Sequence, residues 1–247
     1  MSKARRKTRR SKENAIRTAT FGKNDKKLLH MRNSKQKLYM ELMEIKDVVI
    51  ASGFPGTAKT LLALYKAFEM LDEKRIKKIL YAKPKVSIPG EKDMGALPGT
   101  LEEKTAPHLL PVIGNLQKFM SPGRIEYILK ARGKDDSVFE FLPFDFLRGQ
   151  TFDDTFVIVD EAQNMTAHTA YTVLSRIGEN SKIVITGDTM QRDLKTTHGK
   201  SGLEDAAFRL DPFDFAGHIH FEYNDIERSE NAKKIIGAYR DLYGLGK

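Results

Sequence analysis

A lysine and a threonine side by side, Lys59-Thr60, close a turn that reads Gly53-Phe54-Pro55-Gly56-Thr57-Ala58. The backbone N–H groups of such a turn, and of a helix opening behind it, point at anionic oxygens. Lys59 adds a mobile charge for terminal phosphates, and Thr60 adds a hydroxyl for a hard cation such as Mg2+. Far downstream, Asp160-Glu161 sets two carboxylates next to each other. The first suits the cation, directly or through water. The second suits the orientation and deprotonation of an attacking water. A third stretch, Thr186-Gly187-Asp188-Thr189-Met190-Gln191, offers an Asp and a Gln that can sense a terminal phosphate. These residue types suit phosphoryl transfer, whose catalysis is mostly placement and charge neutralisation.

Such groups work only at the right ends of the right elements. Asp47–Ala51 reads as a buried strand and Lys59–Leu71 as a helix, so the turn has the strand-before, helix-after context that a phosphate loop requires. Thr155–Val159 reads as a strand delivering the two acids to its C-terminal end. Lys182–Thr186 reads as another, ending at Gly187-Asp188. Ligands of open α/β sheets bind at that edge. Further strands are expected at Lys78–Ala82, at Val138–Leu142 and near His218–Tyr223. Helices are expected over Asn33–Ile45, Leu101–Met120, Gly123–Arg132, Thr166–Ile177, Gly202–Leu210 and Ser229–Tyr243, with a Pro- and Gly-rich connection from Pro84 to Gly99. Apolar runs of this length, separated by helices, predict a mostly parallel sheet covered on both faces.

The turn departs from the usual phosphate-loop pattern at Ala58, where a second glycine is ordinary. Ala58 keeps its N–H, so the cradle loses no donor. The methyl matters only if the residue needs a positive φ or touches a phosphate. Beside a helix start, right-handed geometry is expected, and the site is expected to survive with some loss of fit.

Other signals stay open at this level. Arg228, in Asn224-Asp225-Ile226-Glu227-Arg228-Ser229, is either an arginine finger or an exposed charge. Gln36 either reads adenine through two hydrogen bonds or lies on a helix surface. Arg148-Gly149 contacts a phosphate backbone or caps a loop. His218 and His220 share one strand face, but with no third ligand in view they read as structural or surface histidines. Phe139, Phe141, Phe144 and Phe146 alternate as core residues do.

The chain has 247 residues, 40% of them apolar, enough for one large domain with a tail or for two small ones. The absence of cysteine rules out a disulfide framework and a Cys-based zinc site, and agrees with a reducing cytoplasm. No apolar run approaches the roughly 20 residues that cross a bilayer, and the N-terminus lacks the apolar centre of a secretory signal. A cytoplasmic protein without a membrane partner is expected. Residues 1–37 hold 14 of the 42 Lys/Arg and two acids, Glu13 and Asp25, a net +12, against −3 for the remainder and +9 overall. A basic arm on a near-neutral body is a common way to hold nucleic-acid backbones by counterion release.

The ordered set of motifs resembles the PhoH-like family, P-loop ATPases whose core is similar to that of superfamily 1 helicases. The resemblance covers residues 33–243. It includes Pro84-Lys85-Val86, Gly90-Glu91, Gly95-Ala96-Leu97-Pro98-Gly99, Glu103-Lys104 and Leu147-Arg148-Gly149-Gln150-Thr151. It continues through Asp160-Glu161-Ala162-Gln163-Asn164, Arg176-Ile177-Gly178, Thr186-Gly187-Asp188 with Gln191 and Asp193-Leu194, Ser201-Gly202-Leu203, and Asp225 with Arg228. The departures are Ala58 and Lys83, the latter standing where the family has an arginine able to make bidentate contacts. The small size and basic leader look like the versions carried by bacteriophages, which would place the protein in a host cytoplasm.

The resemblance implies a single RecA-like P-loop domain, set over residues 31–247; the few apolar side chains and many like charges of residues 1–30 predict a basic, disordered arm before it. It implies ATP and Mg2+. Gln36, Gly53, Phe54, Pro55, Gly56, Thr57, Ala58, Lys59 and Thr60 would line the nucleotide, and Thr60 and Asp160 would hold the metal. Lys59 would hold the β- and γ-phosphates, Glu161 position the water, and Gln191 sense the γ-phosphate. Arg228, or in second place Arg148, would be the finger. The implied activity is an RNA- or DNA-stimulated, helicase-like ATPase. The alternative is an ATP-switched nucleic-acid-binding oligomer with little turnover. Helicases of that superfamily close the site between two core domains, and this length holds one. A finger from a neighbouring subunit is therefore expected, in a homo-oligomeric ring that the resemblance makes a hexamer. RNA or single-stranded DNA is the expected partner, through the arm and the core.

Overall fold

Strand side chains alternate between the two faces of a sheet, and in this chain both faces are apolar. A computed structural model describes residues 27–84, 101–131, 133, 137–147, 149–188 and 201–239. The arm up to residue 26, the Pro- and Gly-rich passage beyond Pro84, Arg148 and Gln191 lie outside the described residues. The elements in chain order are α1 (Ser34–Ile45), β1 (Val48–Gly53), α2 (Lys59–Asp72), β2 (Lys78–Lys83), α3 (Leu101–Leu116) and α4 (Pro122–Lys130). They continue with β3 (Phe139–Pro143), β4 (Thr155–Val159), α5 (Ala167–Leu174), β5 (Lys182–Thr186), α6 (Gly202–Leu210), β6 (Ala216–Phe221) and α7 (Glu230–Ala238).

The six strands form one all-parallel sheet in the order β3-β2-β4-β5-β1-β6. The described residues thus form an α/β fold with a parallel sheet covered on both faces, as the alternation of strands and helices predicts. Val49 and Ala51 of β1, Phe156 and Ile158 of β4, and Ile79 and Tyr81 of β2 join α1, α2, α3 and α4 in one apolar cluster. Val48, Ile50, Val157, Val159, Leu80 and Ala82 face the other way, into a cluster closed by α5 and α6. All residues of β1, β4 and β5 are buried. They are three of the four interior strands, and they bear the loop, the acids and Gly187-Asp188, so all three motifs start from the buried interior of the sheet.

Some boundaries differ from the sequence reading. The helix expected to reach Ile177 stops at Leu174. Beyond it the chain turns to pair with Phe152, whose N–H donates to the Arg176 carbonyl and whose carbonyl accepts from Gly178 N–H, each at 2.9 Å. The last strand starts earlier than expected because edge pairing with β1 begins at Ala216 opposite Val48. It ends at Phe221, before a short 3-10 turn over Tyr223–Asp225. Thr166 caps α5, its hydroxyl accepting from Thr169 N–H at 3.1 Å. Among the described residues, no helix is long and apolar enough to cross a membrane.

Candidate phosphate and metal site

Gly53 ends β1 with φ +115°, and a Cβ there would come within 2.0 Å of the Phe221 carbonyl oxygen on the neighbouring strand. Only glycine lets the loop leave the sheet so close to β6. Gly56 has φ +76° and turns the chain back towards α2. The Lys59 ammonium lies inside the resulting loop. It donates to the carbonyls of Gly53 at 2.9 Å and Phe54 at 2.7 Å and to Thr57 Oγ1 at 3.2 Å. Burial pushes its pKa down to about 8, against the opposing pull of Asp188, Asp160 and Glu161.

The sequence reading of Ala58 needs correction. The residue is left-handed, with φ 70° and ψ 19°, rather than right-handed. It is the N-cap of α2, outside the helix proper, where helical angles are not required. Its carbonyl already accepts from Leu62 N–H at 2.9 Å while its own backbone completes the loop's reversal. For a residue with a Cβ this conformation costs about 1–2 kcal/mol.

Sheet parity brings the acid to the loop. Asp160 follows β4 on the same parity as Phe156 and Ile158, hence on the face covered by α2. Its Oδ1 accepts from Thr60 Oγ1 at 2.9 Å and from Thr186 Oγ1 at 2.6 Å, and its Oδ2 accepts from Tyr81 OH at 2.5 Å. Three elements, α2, β5 and β2, thus converge on one carboxylate. Thr60 Oγ1 and the Asp160 carboxylate form an all-oxygen pair, which is the donor chemistry that Mg2+ prefers. The glycine turn, the buried ammonium and this oxygen pair fit a phosphate chain with a hard divalent cation.

Glu161 points from a second strained position, left-handed at φ 56°. Gln163 holds it, donating from Nε2 to Glu161 Oε2 at 2.7 Å. The other end of the same buried amide accepts from Asp188 N–H at 3.0 Å. Gln163 therefore links the tip of β5 to the second acid. Lys83 Nζ stands 3.7 Å from Glu161 Oε1.

The remaining candidates fall around the loop. Arg228 lies against it: a Cβ on Gly56 would meet Arg228 Cγ at 2.8 Å and Nε at 2.9 Å. The backbone next to it is fixed, with Glu227 N–H donating to the Gly56 carbonyl at 2.9 Å. Arg228 thus belongs to the loop of its own chain. Gln36 is 3% exposed; its Oε1 accepts from Arg32 N–H at 2.8 Å and its Nε2 donates to the Thr57 carbonyl at 3.4 Å, bracing α1 against the loop. His218 Nε2 and His220 Nδ1 each meet the Ser52 hydroxyl at 2.9 Å, tying β6 to β1. Among the described residues no group of three or more metal-ligating side chains exists. Phe139 and Phe141 are buried in the core, as their alternation predicts.

Sequence reasoning assigned no part in this cluster to Tyr81, the Thr186 hydroxyl or the Gln163 amide. The last two lie inside motifs that had been noticed for their neighbours. Tyr81 had no signal at all, since a tyrosine in an apolar strand reads as core.

Fold and site together define a P-loop protein. The PhoH-like protein family model matches residues 28–240. The chain belongs to the PhoH-like family. A PhoH-like protein of Bacillus subtilis (strain 168) is 38% identical over 213 residues, covering 86% of this chain and 64% of the relative. Protein PhoH of Escherichia coli (strain K12) is 35% identical over 209 residues, covering 84% of this chain and 57% of the relative. The chain therefore spans less than two thirds of the length of these relatives. A crystal structure of Pif1 helicase from Candida albicans aligns over 87% of this chain and 44% of its own, at 14% identity and a TM-score of 0.45.

Proposed function

We propose that this chain is a Mg2+-dependent ATP hydrolase, stimulated by RNA or DNA and acting as a helicase-like remodeller of nucleic acid. The observation that carries the reading is the 2.9 Å hydrogen bond from Thr60 Oγ1 to Asp160 Oδ1, which joins the end of the phosphate loop to the acidic strand tip. Lys59 holds the β- and γ-phosphates in exchange for the loop carbonyls it now caps. Thr60 and Asp160 hold Mg2+, which neutralises charge on the phosphate oxygens when bound. Glu161, fixed by Gln163, orients and deprotonates the attacking water. Gln191 senses the γ-phosphate. Arg228, beside Gly56, neutralises developing charge from within the same chain, and Arg148 is the second candidate. Gln36, one hydrogen bond from the loop, is the candidate for reading the base.

The basic segment 1–37 is the proposed nucleic-acid contact. With Arg228 beside the loop of its own chain, the proposed homo-oligomeric ring, a hexamer, rests on the family resemblance and no longer on a finger from a neighbour. Removing residues 1–30 lowers nucleic-acid affinity and its salt dependence if the arm is the contact. Sedimentation with and without ATP tests the ring. The main test is phosphate release by wild type and Lys59→Ala, titrated with single-stranded RNA and DNA. Turnover that rises with nucleic acid and falls at least about 100-fold in Lys59→Ala supports the reading. Equal release by both proteins refutes it.

One observation favours a second reading. Left-handed Ala58 places strain in the loop, which suits a protein that uses ATP occupancy to assemble and grip nucleic acid with little turnover. Tight nucleotide-dependent nucleic-acid binding without phosphate release would select it.

A further inference from the structure

We infer that Tyr81 is a positioning residue for the metal ligand Asp160, a role that rests on the reading of this site as a Mg2+–nucleotide centre. The side chain meets different surroundings at its two ends. Its ring is ordinary core: Tyr81 is 2% exposed and stacks on Phe141 with centroids 5.8 Å apart and planes 27° apart. Phenylalanine would fill that space equally well. Its hydroxyl donates to Asp160 Oδ2 at 2.5 Å, at the short end of the range for a charge-assisted O–H···O⁻ bond.

The consequence follows from how Asp160 divides its oxygens. Oδ1 takes the hydroxyls of Thr60 and Thr186, and Oδ2 takes Tyr81. The two donors on Oδ1 resist rotation about the Cβ–Cγ bond through that oxygen alone. A donor on the other oxygen, from the neighbouring strand β2, fixes its plane. Thr60 can keep donating to Oδ1 while its own lone pairs face a cation. The pinned carboxylate then presents Oδ1 and the Thr60 oxygen together. Partners of this kind, which hold a ligand without touching the metal, typically change metal affinity by about 10–100-fold.

The fold supplies a control. Tyr39 is fully buried in the same cluster and close enough to Asp160 to feel its charge, which adds to the effect of burial in raising the phenol's pKa. Yet the Tyr39 hydroxyl has no hydrogen-bond partner among the described residues. Of these two buried tyrosines, only Tyr81 reaches the carboxylate.

The test compares wild type, Tyr81→Phe and Tyr39→Phe as full-length chains. Binding of a fluorescent ADP analogue is followed in EDTA and through a Mg2+ titration, with melting temperatures measured alongside. Tyr81→Phe is expected to raise the Mg2+ concentration for half-maximal binding about tenfold, to leave affinity in EDTA unchanged, and to differ in this from Tyr39→Phe, which follows wild type. A Tyr81→Phe midpoint equal to that of wild type overturns the inference, whatever its melting temperature, and so does an equal shift in both variants. A wild type that shows no Mg2+-dependent binding refutes the site itself, an outcome visible before either variant is compared.

Discussion

The phosphate loop and the acidic strand tip are built in opposite ways. The partners of Lys59 lie 6, 5 and 2 residues back along the chain, at Gly53, Phe54 and Thr57. The partners of Asp160 lie 100, 79 and 26 residues away, at Thr60, Tyr81 and Thr186. The first half is a short segment folded on itself. The second exists only when three parallel strands and α2 are in register. Loss of the Lys59 ammonium therefore falls on the loop's own carbonyls, whereas loss of the Asp160 carboxylate is felt by the sheet.

The largest consequence concerns stability without nucleotide. Asp160→Ala removes the acceptor of three hydroxyls, two of them on buried strands. With the carboxylate partly open to water, the loss is about 2 kcal/mol. Lys59→Ala removes a buried ammonium whose partners are loop carbonyls able to turn to solvent. Its loss of packing is offset by relief of the buried charge, and stability stays within about 1 kcal/mol of wild type. Urea unfolding of both variants measures the difference. Equal destabilisation would show that the tip is no more tied to the sheet than the loop is.

A pH titration probes the loop half alone. The folded pKa of Lys59 is about 8, below the ordinary 10.5. The unfolded chain therefore holds more protons between these values, and stability rises with pH across that window. The cost of burying the charged lysine is fully present below about pH 8 and is relieved by about pH 10.5. Nucleotide affinity runs the other way, falling above pH 8 by up to about tenfold per unit as the phosphates lose their cation. The rise in stability and the fall in affinity should both flatten in Lys59→Met. An affinity profile unchanged by that substitution would remove Lys59 from the phosphate contact.

The same contrast explains what could be read from the sequence. The strand over Thr155–Val159 and the helix over Gly202–Leu210 stand where hydrophobic pattern places them, because buried strands and amphipathic helices write their period into the chain. Gly53 through Thr60 is legible for the same local reason. Tyr81 is not, because nothing near it in sequence distinguishes a hydroxyl facing a carboxylate from one facing a carbonyl. That depends on β2 lying beside β4 with Tyr81 opposite Ile158, a pairing of distant segments. Ala58 failed for a different reason. Neighbouring residue types cannot say whether the last residue before a helix completes a left-handed turn, since an N-cap tolerates several backbone conformations.

Ala58 also gives the smallest effect and the finest cut between the two readings of function. Ala58→Gly removes a Cβ from a left-handed residue, a relief of about 1–2 kcal/mol, partly cancelled by the greater freedom of glycine in the unfolded chain. A net gain of about 0.5 kcal/mol is expected in urea unfolding. Turnover is a separate matter. Strain present equally before and after nucleotide binding shifts neither binding nor rate. If the loop already holds its working shape, phosphate release by Ala58→Gly stays within about twofold of wild type, the factor that corresponds to such an energy. A tenfold rise would mean that the alanine resists a conformation the reaction needs. Little turnover would then be built into the loop, and the chain would act as an ATP-dependent clamp more than as a motor.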